Sequence, residues 1–167
     1  MNRGYTLPEV MVGILLISFA LILIVQFIIL YNEILRTVKQ VKEISEQANT
    51  LSGRIKNVIN AKPGEKLEFF SNPNDNYLVI KRKDIQTKKT IAAIGLYSNQ
   101  DQYTDNHYFI NDSLKKYKIS HLIYPEYAIL EYNSFNYVIL GIYGDIRLSP
   151  RSKPQKTQFS LFVFKIE

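Results

Sequence analysis

Residues 10–30 read VMVGILLISFALILIVQFIIL, and this uninterrupted apolar run decides the fold. As an α-helix the run is about 32 Å long, which matches the hydrocarbon core of a bilayer at about 30 Å. Residues 10–32 carry no charged side chain, and nearly all of the charge in the chain follows them. A secretory signal has a shorter apolar core followed by small residues at its cleavage site. The run therefore predicts a membrane-spanning helix, in the simplest case a plain signal anchor.

One acid lies at the edge of this chargeless segment. Glu9 immediately precedes the run, and a charged side chain near the middle of a bilayer costs about 2.5–3.5 kcal/mol, less near the interface. An acid retained beside a membrane helix is by default a candidate functional residue, and its partner should be identifiable.

The residues around this acid carry a family resemblance. Residues 4–9 read GYTLPE, and together with the apolar run they resemble the class III signal of type IV prepilins and pseudopilins. That family has a short basic leader ending in Gly, then an aromatic residue, Thr-Leu, and Glu as the fifth residue after the cut. The resemblance implies cleavage between Gly4 and Tyr5 by a prepilin peptidase and N-methylation of Tyr5. It also implies that the amine of Tyr5 and the carboxylate of Glu9 form a charge pair when subunits dock.

Two features refine the resemblance. Tyr5 stands where Phe is usual, a change that the peptidase should tolerate because the aromatic ring is kept. No proline interrupts the apolar run, and this absence fits a minor pilin or pseudopilin better than a major shaft subunit. Basic residues flank both sides of the run, so charge bias leaves the orientation open. The resemblance implies a single pass through the cytoplasmic membrane, with the N-terminus in the cytoplasm and the head outside, followed by entry into an extracellular filament.

The helical pattern continues beyond the membrane segment. Apolar residues recur at three- and four-residue steps, at Ile34, Val38, Val41, Ile44, Ala48, Leu51, Ile55 and Val58. Pro63-Gly64 then ends the helix. We therefore expect a leader at 1–4, a transmembrane and assembly helix at 5–31, its amphipathic continuation at 32–60, and an extracytoplasmic β-rich head at 61–167.

The remaining residues alternate β-rich runs with turn clusters. They predict strands at 67–70, 77–83, 90–97, 108–110, 118–124, 127–132, 137–143 and 159–166. Residues 133–136 are predicted to form a hairpin tip, and the polar residues 149–158 a connector. The expected fold class is α+β, with the amphipathic half of the long helix packed on a mostly antiparallel sheet, which is also the pilin-like arrangement that the resemblance implies.

The head offers no persuasive catalytic or metal-binding pattern. The chain has no cysteine, which excludes a disulfide framework and a thiolate metal site. His107 and His121 lack ligand-like spacing, and Asp101, Asp105 and Asp112 do not match a twelve-residue calcium loop. We expect no catalytic residue, no metal and no cofactor, and hence a protein that is not an enzyme.

Basic clusters raise the question of an anionic partner. The net charge is +6, which suits a membrane surface, a cell-wall polymer or DNA. Lys81, Arg82 and Lys83, together with Lys115 and Lys116, could contact DNA with the help of nearby tyrosines. The alternative is that these are solvated lysines that protect strand edges from aggregation.

These observations favour a structural minor pilin or pseudopilin. Its partners would be other pilin subunits, the prepilin peptidase and the cytoplasmic membrane. The machine could be a pilus for adhesion or motility, a competence apparatus for DNA uptake, or a type II secretion system. One alternative is a single-pass anchored binding protein that does not polymerise, and another is a membrane-tethered enzyme.

Overall fold

The computed structural model describes residues 6–72, 77–97, 106–111, 115–149 and 152–166. One helix, α1 (Leu7–Ile59), precedes eight strands. The strands are β1 (Glu65–Asn72), β2 (Tyr77–Asp84), β3 (Thr90–Tyr97), β4 (His107–Ile110), β5 (Lys116–Lys118), β6 (Ile123–Tyr132), β7 (Phe135–Ile146) and β8 (Gln155–Ile166).

Helix α1 has 53 residues and is about 80 Å long. Its N-cap is Thr6, whose extended backbone is typical of that position, and Pro8 lies in the first turn, where no intrahelical donor is lost. The helix ends at Ile59 with Asn60 as its C-cap. Gly64 then adopts φ +90, which lets the chain reverse into β1 because glycine has no Cβ to oppose that conformation.

The two halves of α1 have different environments. The buried residues of the helix all lie in its second half, at Ile44, Ala48, Leu51, Ser52, Ile55 and Val58. Their three- and four-residue spacing confirms the predicted apolar stripe. Val41 packs at the margin of the core, whereas Ile34 and Val38 remain exposed, so contact with the head begins near residue 41.

The strands form two antiparallel sheets. The first is a five-stranded meander in the order β1-β2-β3-β4-β5, and the second is β6-β7-β8. Helix α1 contacts β2 and β3 of the first sheet and β7 and β8 of the second. The predicted α+β class is therefore confirmed, with a long N-terminal helix on antiparallel sheet in a pilin-like arrangement.

The core fills the space between the helix and both sheets. Its most deeply buried side chains come from the helix and from each sheet: Leu51, Ile55, Ile80, Ile94, Ile123, Val138, Leu140 and Ile142. One polar pair lies within this region, where Ser160 Oγ donates a 2.6 Å hydrogen bond to Ser52 Oγ. The pairing satisfies two hydroxyl groups that would otherwise lose hydration without compensation.

The predicted strand at 118–124 is wrong. Strand β5 ends at Lys118, and β6 starts at Ile123 and continues through Pro125 to Tyr132. The intervening turn is held against the helix, because the Ser120 N–H donates a 2.8 Å hydrogen bond to Gln47 Oε1. Proline is tolerated within β6 because this strand is at the edge of its sheet.

Other strand boundaries differ from the prediction as well, among them those of the β6–β7 hairpin and of β8. The β6–β7 hairpin turns on Asn133 and Ser134 alone, with φ of 50 and 62, as a type I′ turn requires. Residues 135 and 136, predicted at the tip, already belong to β7. Strand β8 begins at Gln155 rather than at residue 159, because the polar residues 155–158 pair with the end of β7.

Candidate functional site

The first half of α1 is an apolar rod that makes no buried contact with the head. Its most apolar 18-residue window has a mean hydropathy of 3.0, and none of that window is buried. Leu15, Leu16 and Ile17 follow one another and so lie on three different sides of the helix, and each is more than half exposed. Among the described residues this is one helix with the length and composition to cross a membrane. An all-round apolar helix requires lipid or other helices around it, since water would solvate it poorly.

Glu9 lies at the start of this rod, at the third position of the helix. Its Oε2 accepts a 2.8 Å hydrogen bond from the Thr6 N–H and a 2.9 Å hydrogen bond from Thr6 Oγ1. This is the arrangement in which an acid at the third helical position satisfies the N-cap amide. A negative charge also interacts favourably with the helix dipole here. The carboxylate therefore has a role within its own chain.

The two hydrogen bonds use only one of the carboxylate oxygens. Both reach Oε2, and within the described part of the chain Oε1 accepts none. A carboxylate has about four acceptor positions, so Glu9 can cap its own helix and accept a donor from another molecule together. Of the three residues predicted for processing and assembly, the structure describes Glu9 alone. Gly4 and Tyr5 lie outside the described residues.

The rod contains a polar residue that is satisfied internally. Ser18 Oγ donates a 2.8 Å hydrogen bond to the carbonyl of Ile14, one turn earlier. In lipid such back-bonding removes the cost of an unpaired hydroxyl, because no water is available as an alternative partner. Ser18 is therefore compatible with a membrane environment.

The first basic cluster is divided between the two faces of β2. Strand alternation turns Arg82 toward the helix, and its Nη1 donates to the carbonyl of Asn60, the helix C-cap. Its Nε lies 3.5 Å from Oε2 of Glu65. Arg82 therefore joins the end of α1 to the start of β1. Lys81 points to the opposite face of β2, so Lys81 and Arg82 do not share one surface.

Lys83 is also committed to a partner in its own sheet. Its Nζ lies 2.7 Å from Oε2 of Glu68 on β1, and Lys66 approaches the same carboxylate. The hydrogen bond from Lys83 lowers the pKa of Glu68. A phosphate would have to displace this carboxylate to use Lys83 fully, so the geometry gives Lys83 a role in pairing β1 with β2.

The second basic cluster lies at the other edge of the five-stranded sheet. Lys115 and Lys116 are exposed, and their Nζ atoms lie over the rings of Tyr117 and Tyr97 at 5.6 Å and 5.0 Å. Strand β5 is three strands away from β2, a separation of about 14 Å. Contact between these clusters and DNA stays a prediction.

The described residues contain no group of three or more His, Cys, Asp or Glu side chains that could hold a metal ion. His107 lies on β4, and His121 is exposed in the turn before β6. Asp101, Asp105 and Asp112, whose spacing does not match a calcium loop, lie outside the residues that the structure describes.

The sequence did not reveal that Arg82 contacts both Asn60, at the end of the helix, and Glu65, at the start of β1. The hydrogen bond from Arg82 to Asn60 joins positions 22 residues apart, so no local pattern announces it. The alternation of β2 could have indicated that Arg82 faces inward, since its neighbours Ile80 and Leu78 are apolar. No family model, no curated protein and no solved structure matches the chain.

Proposed function

We propose that this protein is a minor pilin or pseudopilin that assembles through its N-terminal helix into a filament of the type IV pilus kind. The observation that carries the proposal is the division of α1, whose first half is apolar and exposed all round while its second half packs on the head. Such a rod is stable in lipid, and it is equally stable among other rods of its own kind. Transfer from one environment to the other allows polymerisation without refolding of the head.

The position of Glu9 supports assembly with a defined stagger. In the proposal, Oε1 of Glu9 accepts a hydrogen bond from the charged amine of Tyr5 in a neighbouring subunit, after the leader has been removed. An unpaired charge at the edge of lipid is costly, and opposite charges attract strongly in a medium of low dielectric constant. The pair therefore favours the one axial register that brings both groups together.

The rest of the proposal follows from the family resemblance. The chain passes once through the cytoplasmic membrane, with its head outside, and the prepilin peptidase cuts after Gly4. Its role is structural rather than catalytic. The filament could serve adhesion, motility, DNA uptake or type II secretion.

A second candidate is a single-pass anchored binding protein that never polymerises. The specific observation in its favour is the bond between Glu9 and Thr6, because helix capping alone explains an acid at this position. The two candidates differ in whether they require a negative charge on the side chain of residue 9. Capping accepts Gln at the same position as well as Glu, whereas pairing with an amine requires the carboxylate.

N-terminal processing provides a direct test of the proposal. The chain is produced in cells with and without an active prepilin peptidase, extracted from the membrane, and its intact mass is measured. The expected result is loss of residues 1–4 and gain of one methyl group only when the peptidase is present. A matched Gly4→Leu variant should keep its leader in both cells. An uncut wild-type chain in cells with active peptidase would refute the proposal.

A further inference from the structure

The three-stranded sheet β6-β7-β8 packs one face on α1 and turns its other face away from the helix. Alternate residues of β7 belong to the core, so the residues between them point outward. The strand register aligns Ala128, Ile139 and Val163 in one outward row. Leu130 and Leu161 lie in the rows on either side of it. We call these five residues the outer patch, in which Leu130, Leu161 and Val163 are 51%, 52% and 62% exposed.

The five-stranded sheet has a different outward face. Its outward positions alternate with core residues and include charged side chains on three strands, at Lys66, Glu68, Lys81, Lys83, Lys116 and Lys118. An antiparallel sheet that packs one face on a core usually presents polar residues on the other face. The outer patch departs from this rule on three adjacent strands of the same molecule. Contiguous exposed apolar surface with a polar border is typical of a site that another molecule covers.

The charged residues nearest to the outer patch lie at its corners. Glu126 points outward from β6 and Lys165 from β8, the two edge strands of the sheet. Nζ of Lys156 binds the carboxylate of Glu126, and Nζ of Lys165 lies 3.3 Å from the centre of the Phe135 ring. The outer patch itself contains no charged side chain. A charged partner would lose hydration there without compensation, so the patch suits an uncharged, apolar surface.

Strand β8 runs alongside α1 in the same direction. Gly144, the pairing partner of Thr157, lies against Ile44 of the helix. Further on, Phe164 and Ile59 line one groove together. From Thr157 to Phe164 the strand advances by about 23 Å, and from Ile44 to Ile59 the helix advances by about 22 Å. The strands of this sheet are therefore close to parallel with the helix axis.

This direction decides how two copies of the chain can associate. Two sheets stacked face to face with aligned strands can be related by a two-fold axis that runs along the strands. Such an axis also follows α1, so both apolar rods point the same way and can lie in one membrane. Pairing of the free edge of β6 with its own copy would need an axis normal to the sheet, which reverses one rod. Anchoring in one membrane thus favours the face over the edge.

The size of the face also favours a second membrane-anchored copy. Three strands about 4.8 Å apart and seven residues of about 3.3 Å each give a face of roughly 320 Å². Two such faces bury about 650 Å² together, less than the roughly 1,200–2,000 Å² of a stable complex in solution. A soluble partner would therefore bind weakly. A copy in the same membrane is confined nearby, and a high effective concentration lets a smaller interface form.

We propose that the outer patch packs against the outer patch of a second copy of this chain in the same membrane, around a two-fold axis parallel to α1. In this pair β7 lies over β7, so Ile139 faces its equivalent, and β6 of each copy lies over β8 of the other. The inference rests on the membrane insertion that the proposed function includes. It requires neither leader cleavage nor a filament.

The first test exploits the absence of cysteine from the chain. The full chain with Ile139→Cys is reconstituted into vesicles with lipid in large excess and treated with a short bismaleimide, which joins two thiols only when they are close. We expect a covalent dimer on denaturing gels. Phe70→Cys is the matched control, because Phe70 is 50% exposed on the outward face of the other sheet. It should give less than about a tenth as much dimer, from random collisions alone.

A mixed reconstitution tests the two-fold axis. Ala128→Cys and Val163→Cys chains carry tags of different size and are combined in the same vesicles. Because the axis brings β6 of one copy over β8 of the other, we expect these two chains to be linked to each other. Either variant alone should give little dimer, since equivalent positions on an edge strand lie on opposite sides of the axis.

A charge within the outer patch tests the apolar contact. Leu161→Lys, added to the Ile139→Cys chain, should lower the yield of dimer about tenfold, because the new charge would be buried without a partner. Phe70→Lys in the same chain is the control, since Phe70 and Leu161 are almost equally exposed, and it should leave the yield unchanged. Circular dichroism checks that both variants keep their secondary structure. The two cysteine experiments do not depend on either of these lysine variants.

Three outcomes would overturn the inference. The first is that Ile139→Cys gives no more dimer than Phe70→Cys. The second is that the mixed Ala128→Cys and Val163→Cys chains are not linked to each other. The third is that Leu161→Lys leaves the yield of dimer unchanged in a folded chain. A chain that is cut correctly by the peptidase yet never cross-links would refute this inference alone, so its failure is distinguishable from failure of the proposed function.

Discussion

Glu9 can satisfy its own helix and a neighbouring subunit together. Thr6 occupies Oε2, and Oε1 is left for a donor from outside the chain. The carboxylate is thus held in one orientation before any partner arrives, which reduces the entropy lost on pairing. Capping and assembly are therefore compatible roles, and they can be separated by changing the charge without changing the shape.

Glu9→Gln separates the two roles. Gln preserves the capping hydrogen bond, so we expect membrane insertion and head stability to remain normal. Incorporation into filaments should fall sharply, because a neutral amide lacks the negative charge that attracts the amine of Tyr5. The measurement is the amount of subunit in the sheared filament fraction relative to the membrane fraction. Glu9→Asp, which keeps the charge on a shorter side chain, is the control and should retain partial incorporation. Normal incorporation of Glu9→Gln would exclude the charge pair.

The Glu68–Lys83 pair predicts how acid affects the head. Lys83 lowers the pKa of Glu68 below its ordinary value of 4.5, so the ionised carboxylate is favoured in the folded state. A group whose pKa is lower in the folded state stabilises the fold at pH values above its unfolded pKa, and this contribution is lost as the pH falls.

We therefore expect the melting temperature to decline as the pH is lowered from about 5 towards 3. Lys83→Met should make the decline shallower, because it removes the main cause of the shift. Lys153→Met, an exposed position in the connector before β8, should leave the decline unchanged. Thermal unfolding followed by circular dichroism at a series of pH values measures both. Identical profiles for Lys83→Met and the wild type would contradict the assignment.

The β6–β7 hairpin has a turn whose geometry favours glycine at its second position. Ser134 has φ 62, a conformation that a side chain with a Cβ opposes, whereas Asn133 tolerates it better. Ser134→Gly should therefore stabilise the head by about 0.5–1 kcal/mol. Ser45→Gly is the opposite control, because it places glycine inside α1 and should destabilise by about 0.5–1 kcal/mol. Chemical denaturation of the full chain in micelles measures both, and a lower stability for Ser134→Gly would contradict the turn assignment.

The junction between helix and sheet depends on Arg82. Its guanidinium contacts the helix C-cap carbonyl and Glu65, whose carboxylate also accepts a 2.8 Å hydrogen bond from the Lys62 N–H. These contacts join the two sides of the turn at Pro63-Gly64. Arg82, which the sequence offered as one possible DNA contact, therefore has a role in the junction between helix and sheet.

Arg82→Gln should lower the free energy of unfolding by about 1–3 kcal/mol, because Glu65 and the Asn60 carbonyl lose their partner. Arg147→Gln, at an exposed position, should change it by less than about 0.5 kcal/mol. Denaturation of the two variants in parallel gives the comparison. Equal stability would show that the junction does not depend on this side chain.

The largest feature of the molecule was predictable because its signals are local. The apolar run, its spacing into an amphipathic stripe and the Pro63-Gly64 stop each lie within one continuous segment. Most strands were predictable for the same reason. The strand at 118–124 was wrong because a turn there is held by Gln47 of the helix, a contact that no pattern within the strand could indicate.

What the sequence by itself determined is therefore the long helix, its division into an apolar first half and a head-packing second half, the α+β class and the acid at the helix start. What only the tertiary structure decided is the separation into two sheets, the turn that Gln47 holds before β6, and the contact of Arg82 with the end of the helix. The physical reason is distance along the chain. Periodicity and turn chemistry act over a few residues, whereas a pairing such as Ser52 with Ser160 exists only once packing has brought remote segments together.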